Sequence, residues 1–153
     1  MNIMKKHLRL LMLLAALLVP WASSAQETLT VCDGTGTNTY FPVNGLYTDT
    51  RETCNEFIIP SSLLGDMEGG TITEMTFYLS TPATEAWTGT IQMYLGETTA
   101  TSVASFSTPS SSAVTVVYTG LLDATGTTMT VTFSTPYEYN GGNLLIGSFI
   151  SVA

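Results

Sequence analysis

The feature that most constrains this chain is a period-two alternation of apolar and hydroxyl-bearing residues that recurs along its length. From Thr71 to Ser80 the sequence reads TITEMTFYLS, which places Met75, Phe77 and Leu79 on one side and Thr76, Tyr78 and Ser80 on the other. Thr90 to Leu95 alternates Ile91, Met93 and Leu95 with Gln92 and Tyr94. Val114, Val116 and Tyr118 alternate with Thr115 and Val117, and Met129, Val131 and Phe133 with Thr130, Thr132 and Ser134. Side chains point alternately to opposite sides in an extended strand, so each stretch predicts a strand with one face on a core and one in water. The 27 threonines reinforce this, because a branched Cβ suits a pleated surface better than a helix. No stretch offers an amphipathic helix longer than a turn or two. The expected fold is all-β, an antiparallel, jelly-roll-like β-sandwich formed by residues 26–153 as one domain.

Turn signals separate these runs. Asn44-Gly45 suits the type I′ turn of a tight hairpin, and further breaks are expected at Gly69-Gly70, Gly96-Glu97, Asp123 to Gly126 and Asn140 to Asn143. Pro60-Ser61-Ser62 before Leu63-Leu64 suits one short helical turn. The last stretch, Asn143 to Ala153, is an apolar strand with no closing turn. A terminal strand of this kind would leave a sheet edge unpaired, which predicts a chain lacking its final strands and any modules beyond them.

The N-terminus has a different character. Lys5, Lys6, His7 and Arg9 precede the apolar run Leu10 to Val19, followed by Pro20, Trp21 and the small residues Ala22-Ser23-Ser24-Ala25. This is the order of a secretory signal peptide, residues 1–25, with cleavage after Ala25. The run is too short for a membrane span, so the expectation is export to the medium or the cell surface without membrane insertion. The whole chain carries 4 Lys+Arg against 12 Asp+Glu, a net charge of -8. Without the signal, 4 - 3 = 1 cation remains against 12 acids, a net of -11, and Arg51 is the sole basic side chain. A mature domain without His or Lys has no histidine base, Schiff-base lysine or histidine metal ligand, and no basic surface for nucleic acid.

Three sets of residues retain chemistry. Cys32 and Cys54 form an even pair in an exported chain; a disulfide between them would close a loop of about 23 residues and stabilise by roughly 3 kcal/mol, the alternative being two free thiols packed apart. Asp33, Asp49, Asp66 and Glu68, with Glu52 near them, are loop carboxylates of the kind calcium takes, although without EF-hand spacing. Trp87, in a loop before a strand, and the tyrosines Tyr40, Tyr47, Tyr78, Tyr94, Tyr137 and Tyr139, on predicted outward faces or turns, are the aromatic candidates. Trp87, Tyr137 and Tyr139 are singled out for stacking on a ligand, although for Trp87 plugging one end of the core is the favoured reading. Nothing in the spacing selects an acid–base pair, and no catalytic residue or organic cofactor site is expected.

The segments TVCDGTGTNTYFPVNGLYTD (Thr30 to Asp49), EFIIPSSLL (Glu56 to Leu64), GGTITEMTFYLS (Gly69 to Ser80), AWTGTIQMYLGE (Ala86 to Glu97) and LDATGTTMTVTFSTPYEYNGGNLLIG (Leu122 to Gly147) together resemble the N-terminal β-sandwich module of secreted surface proteins of Bacteroidetes. That module is loosely similar to the cleaved-adhesin, or haemagglutinin, modules. The resemblance covers nearly all of the mature chain and implies adhesion or glycan recognition without catalysis, in proteins that continue into fibronectin type III-like repeats and a sorting domain. The expected function is therefore a non-enzymatic interaction module contacting host protein, matrix or glycan. The alternative is a carbohydrate-binding module attached to a larger secreted enzyme.

Overall fold

The computed structural model describes residues 26–32, 34–39, 41–42, 54–82 and 89–152. The signal segment 1–25, the Asn44-Gly45 turn and Arg51 lie outside the described residues, as do Glu52, Tyr40 and Tyr47. Each alternating stretch is a strand. In chain order the elements are β1 (Cys54–Ile59), β2 (Thr71–Tyr78), β3 (Thr90–Thr98), β4 (Thr115–Gly120), β5 (Thr128–Glu138) and β6 (Asn143–Val152). Two one-turn 3-10 segments, Ser61–Leu63 and Gly65–Met67, follow Pro60 and link β1 to β2.

Two antiparallel sheets result, one ordered β1-β6-β3-β4 and the other β2-β5. The pairing is nested: β1 with β6, β2 with β5 and β3 with β4. The chain thus behaves as a long ribbon folded back on itself, in jelly-roll-like winding, and the all-β sandwich expected from the alternation is what forms. Between the sheets lie Ile91, Met93, Leu95, Ile146 and Ile150 from the larger one and Met129, Val131 and Phe133 from the smaller, all buried. Each fully buried side chain of this size stabilises by about 1.5–3 kcal/mol. Phe41 wedges in at one end, its ring 4.6 Å edge-on from Phe57 of β1 and 5.5 Å from Phe77 of β2.

The apolar C-terminal strand has a plain explanation in this topology. β6 is hydrogen-bonded to β1 on one side and β3 on the other, so it is a central strand. Central strands see protein on most sides and read as continuous apolar runs.

Two details depart from strict alternation. Opposed residues share a face, and a bulge in β4 sets Tyr118 opposite Met93 but Val116 opposite Tyr94. Val116 and Tyr118, expected on one side, therefore fall on opposite sides, and Val117 enters the core fully buried. Gly96, expected at a break, sits inside β3, where a Cβ would lie 2.7 Å from the Ala113 carbonyl oxygen. This glycine lets residues 99–114 lie flat on the outer side of the larger sheet. The expected breaks at Gly69 and Asn140 to Asn143 are turns, with Gly69 at φ 78° and Gly141 at φ 101°, conformations that glycine adopts without strain.

Candidate functional site

Three places gather the chemically capable side chains. The first is the outer side of the β2–β5 sheet. Here Glu74 stands opposite Thr132, Thr76 opposite Thr130, and Tyr78 opposite Thr128. The Thr76 and Thr130 hydroxyls are 2.9 Å apart and hydrogen-bonded. Phe77 turns inward, which turns its neighbour Tyr78 outward, and that ring is 72% exposed. The N-terminal stretch runs alongside, with the Gln26 side-chain amide donating to Thr73 Oγ1 at 3.3 Å. Thr30, Cys32, Gly34 and Tyr78 together line a groove of about 340 Å³.

The second place is the opposite side of the sandwich, beneath residues 99–114. Tyr94 is fully buried, its hydroxyl donating to Glu56 Oε1 at 2.9 Å and lying 3.1 Å from the Ser107 carbonyl oxygen and 3.0 Å from Cys54 Sγ. The Ser107 N–H donates to the same carboxylate oxygen at 2.7 Å. Glu56 Oε2 is buried without a partner. Burial pushes the Tyr94 hydroxyl far up, and its hydrogen bonds to Cys54 and Glu56 add to this. Burial likewise raises the Cys54 thiol, against a lowering by the Tyr94 hydrogen bond and with a further rise from the Glu56 carboxylate. A thiol raised in this way stays protonated at neutral pH, and the cluster fastens a loop to a sheet as a latch.

The third is the β5–β6 turn. Glu97 accepts the Asn140 N–H at 2.8 Å, the Asn140 side-chain amide at 3.0 Å and the Gly142 N–H at 2.7 Å. Burial pushes this carboxyl up, but the three hydrogen bonds outweigh it and hold the group below the usual glutamate range. The sign of its effect on stability follows. The lowered group stabilises the fold fully above its unfolded value of about 4.3, and that contribution is lost as pH falls through the lower folded value. Glu97→Gln should remove this acid-limb component in urea titrations at stepped pH. It should also cost stability at pH 7, because an amide N–H₂ would face either Asn140 or Gly142.

The residues singled out in the sequence fare unevenly. Tyr139, expected outward for stacking, is 1% exposed, and its hydroxyl donates to the Gly142 carbonyl at 2.7 Å. Burial raises its hydroxyl, with the Glu97 and Glu68 carboxylates adding, so this ring is a core residue that closes the β5–β6 turn. Tyr94 is likewise corrected from an outward to a buried position. Tyr137 is half-buried beside Glu97, and burial followed by that carboxylate raises its hydroxyl. Asp66 is exposed in its 3-10 turn, while Glu68 lies close over Gly141. Asp33, Asp49 and Trp87 lie outside the described residues. Among the described residues, no three His, Cys, Asp or Glu side chains converge to hold a metal ion. No helix among them is long and apolar enough to cross a membrane.

The disulfide does not form: Cys32 and Cys54 are both free. Cys32 lies in the groove beside Tyr78, and Cys54 on the other outer side, under residues 99–114. Stacked sheets are about 10 Å apart, whereas a disulfide needs its Cα atoms within roughly 7 Å. Labelling should therefore modify Cys32 alone in the native protein and both thiols after denaturation without reductant; an unlabelled denatured chain would contradict this arrangement.

The alternation placed Tyr78 correctly on an outward side, but gave no reason to rank it above Tyr137 or Tyr139. The latch of Cys54, Glu56 and Tyr94 was missed. Its one sequence signal is Gly147, a glycine within an apolar strand, which marks a close approach. No family model, curated protein or solved structure matches this chain.

Proposed function

We propose that this chain is a non-catalytic interaction module of a secreted or cell-surface protein, adhesin-like, that engages host protein, matrix or glycan through the outer side of its β2–β5 sheet. The reading is carried by Tyr78, a residue left 72% exposed on a hydroxyl-rich face beside a groove. An exposed aromatic beside a groove offers the kind of contact that recognition surfaces use. The chemically capable groups elsewhere support the same reading. Glu97 is engaged by backbone amides, and Cys54, Glu56 and Tyr94 are engaged with one another and with Ser107. The residues quoted above for the resemblance to secreted Bacteroidetes surface modules point the same way, as does the signal-like N-terminus.

The test is binding of the immobilised chain to arrayed matrix proteins and glycans, with product analysis. Saturable binding without turnover is the expected result. Turnover of an arrayed glycan would overturn the non-catalytic reading, and absence of binding to either class would overturn the module itself.

A further inference from the structure

We infer that the outer side of the β2–β5 sheet binds an uncharged oligosaccharide, with Tyr78 as the stacking ring and Thr76, Thr130, Thr132 and Glu74 as the polar track along which the sugar lies. This names the ligand of the interaction module and rests on that reading.

Three observations on the face select this chemistry. The Tyr78 ring is exposed and bordered on one side by the groove of Thr30, Cys32 and Gly34, so it offers an apolar face with a wall. A sugar ring presents a face of C–H bonds that can stack on such a surface. Next to it the opposed pairs Thr76–Thr130 and Glu74–Thr132 place hydroxyl and carboxylate oxygens in succession. Each threonine hydroxyl donates one hydrogen bond and accepts others, and a sugar hydroxyl does the same, so either partner can supply the proton. Glu74 is four residues from Tyr78, a span of about 13 Å at the rise of a strand. That is room for more than one sugar unit, with the ring of Tyr78 at one end and the carboxylate of Glu74 at the other.

Charge decides among glycans. The chain has a net charge of -8, Glu74 and Glu138 are carboxylates on this outer side, and among the described residues no cation lies on it. A sulfated or sialylated chain would be repelled by the domain and would meet no Arg or Lys among the described residues of this face. A protein partner is disfavoured on different grounds, since strong protein interfaces centre on several large side chains that exclude water together. Among the described residues, the other exposed large apolar side chains, Leu63, Phe106 and Leu121, lie outside this sheet.

The experiment is an array of uncharged oligosaccharides of increasing length, sulfated and sialylated glycans, and matrix proteins. It would be probed with the full chain and with its Tyr78→Ala, Tyr78→Phe and Thr130→Val variants, each checked for an unchanged melting temperature. Binding to uncharged glycans is expected, weakened about tenfold or more by Tyr78→Ala and less than about threefold by Tyr78→Phe, which keeps the ring. Thr130→Val, which removes one hydroxyl at constant shape, should weaken it by an intermediate factor. Uncharged-glycan binding unaffected by Tyr78→Ala, or binding confined to anionic glycans, would overturn the inference. Binding only to matrix proteins would overturn it while leaving the interaction-module reading intact, and no binding to any class would overturn both.

Discussion

Gly147→Ala should cost the fold about 3 kcal/mol or more, a large share of the stability of a single domain. Gly147 lies in the middle of β6, opposite Tyr94 on one side and Glu56 on the other. A Cβ there would overlap Cε2 and Cζ of Tyr94 and come within 2.6 Å of its Oη. The ring has nowhere to go, because its hydroxyl is tied to Glu56 and it is fully buried. Urea denaturation would read the loss directly. The same substitution in a Tyr94→Ala background should cost far less, so the two changes should be strongly non-additive. Additive costs would show that Gly147 serves some purpose other than making room for Tyr94.

Removing the carboxylate at the centre of the latch has the second largest expected effect. Glu56→Ala leaves the Tyr94 hydroxyl and the Ser107 N–H without their shared acceptor. Unsatisfied buried donors cost about 1–3 kcal/mol each, so a loss of about 2–4 kcal/mol is expected. The damage should also be local: the Ser107 amide should exchange with solvent much faster, and protease should cut within residues 99–114 before the sheets unfold. Tyr94→Phe removes the hydroxyl with its hydrogen bonds to Glu56 and Cys54 but keeps the Ser107 N–H bond to Glu56 and the ring over Gly147, and should cost about half as much. If Glu56→Ala were neutral and Ser107 stayed protected, the latch would not be what holds residues 99–114 in place.

Both predictions concern residues whose roles the pattern of the sequence concealed. Tyr94 occupies the polar phase of TIQMYL, and alternation assigns it to water. The assignment of side is right, since Tyr94 does point away from the core between the sheets, but that side is roofed by residues 99–114. Period-two patterns report which side of a sheet a residue occupies and carry no information about a loop that returns to cover it. Tyr139 was misplaced for a related reason: it lies one residue beyond β5, where alternation no longer governs direction and the Gly141–Gly142 turn folds its hydroxyl onto a carbonyl.

Cysteine pairing shows a second kind of limit. An even count in a short exported chain favours a bridge, but the count takes no account of which outer side of a sandwich each thiol reaches. Only the placement of Gln26, Thr30 and Cys32 beside β2, and of Cys54 beneath residues 99–114, decides that. Glu97 belongs to the same class, since nothing local marks it as the acceptor for a turn 43 residues later in the chain.

The sequence by itself determined the all-β class, the strands with their inward side chains in β2, β3 and β5, the glycine turns before β2 and before β6, and the outward direction of Tyr78. Each of these depends on neighbours within a few residues, through the alternation of side chains along a strand or the φ that a turn demands. The tertiary structure decided the nested pairing that makes β6 central, the bulge that turns Val117 inward, the separation of the two cysteines, and the choice of Tyr78 over Tyr137 and Tyr139 as the ring left in water. Those outcomes depend on which distant segments come to lie on each outer side of the sheets, and segments of the chain far apart in sequence set that only once both sheets have packed.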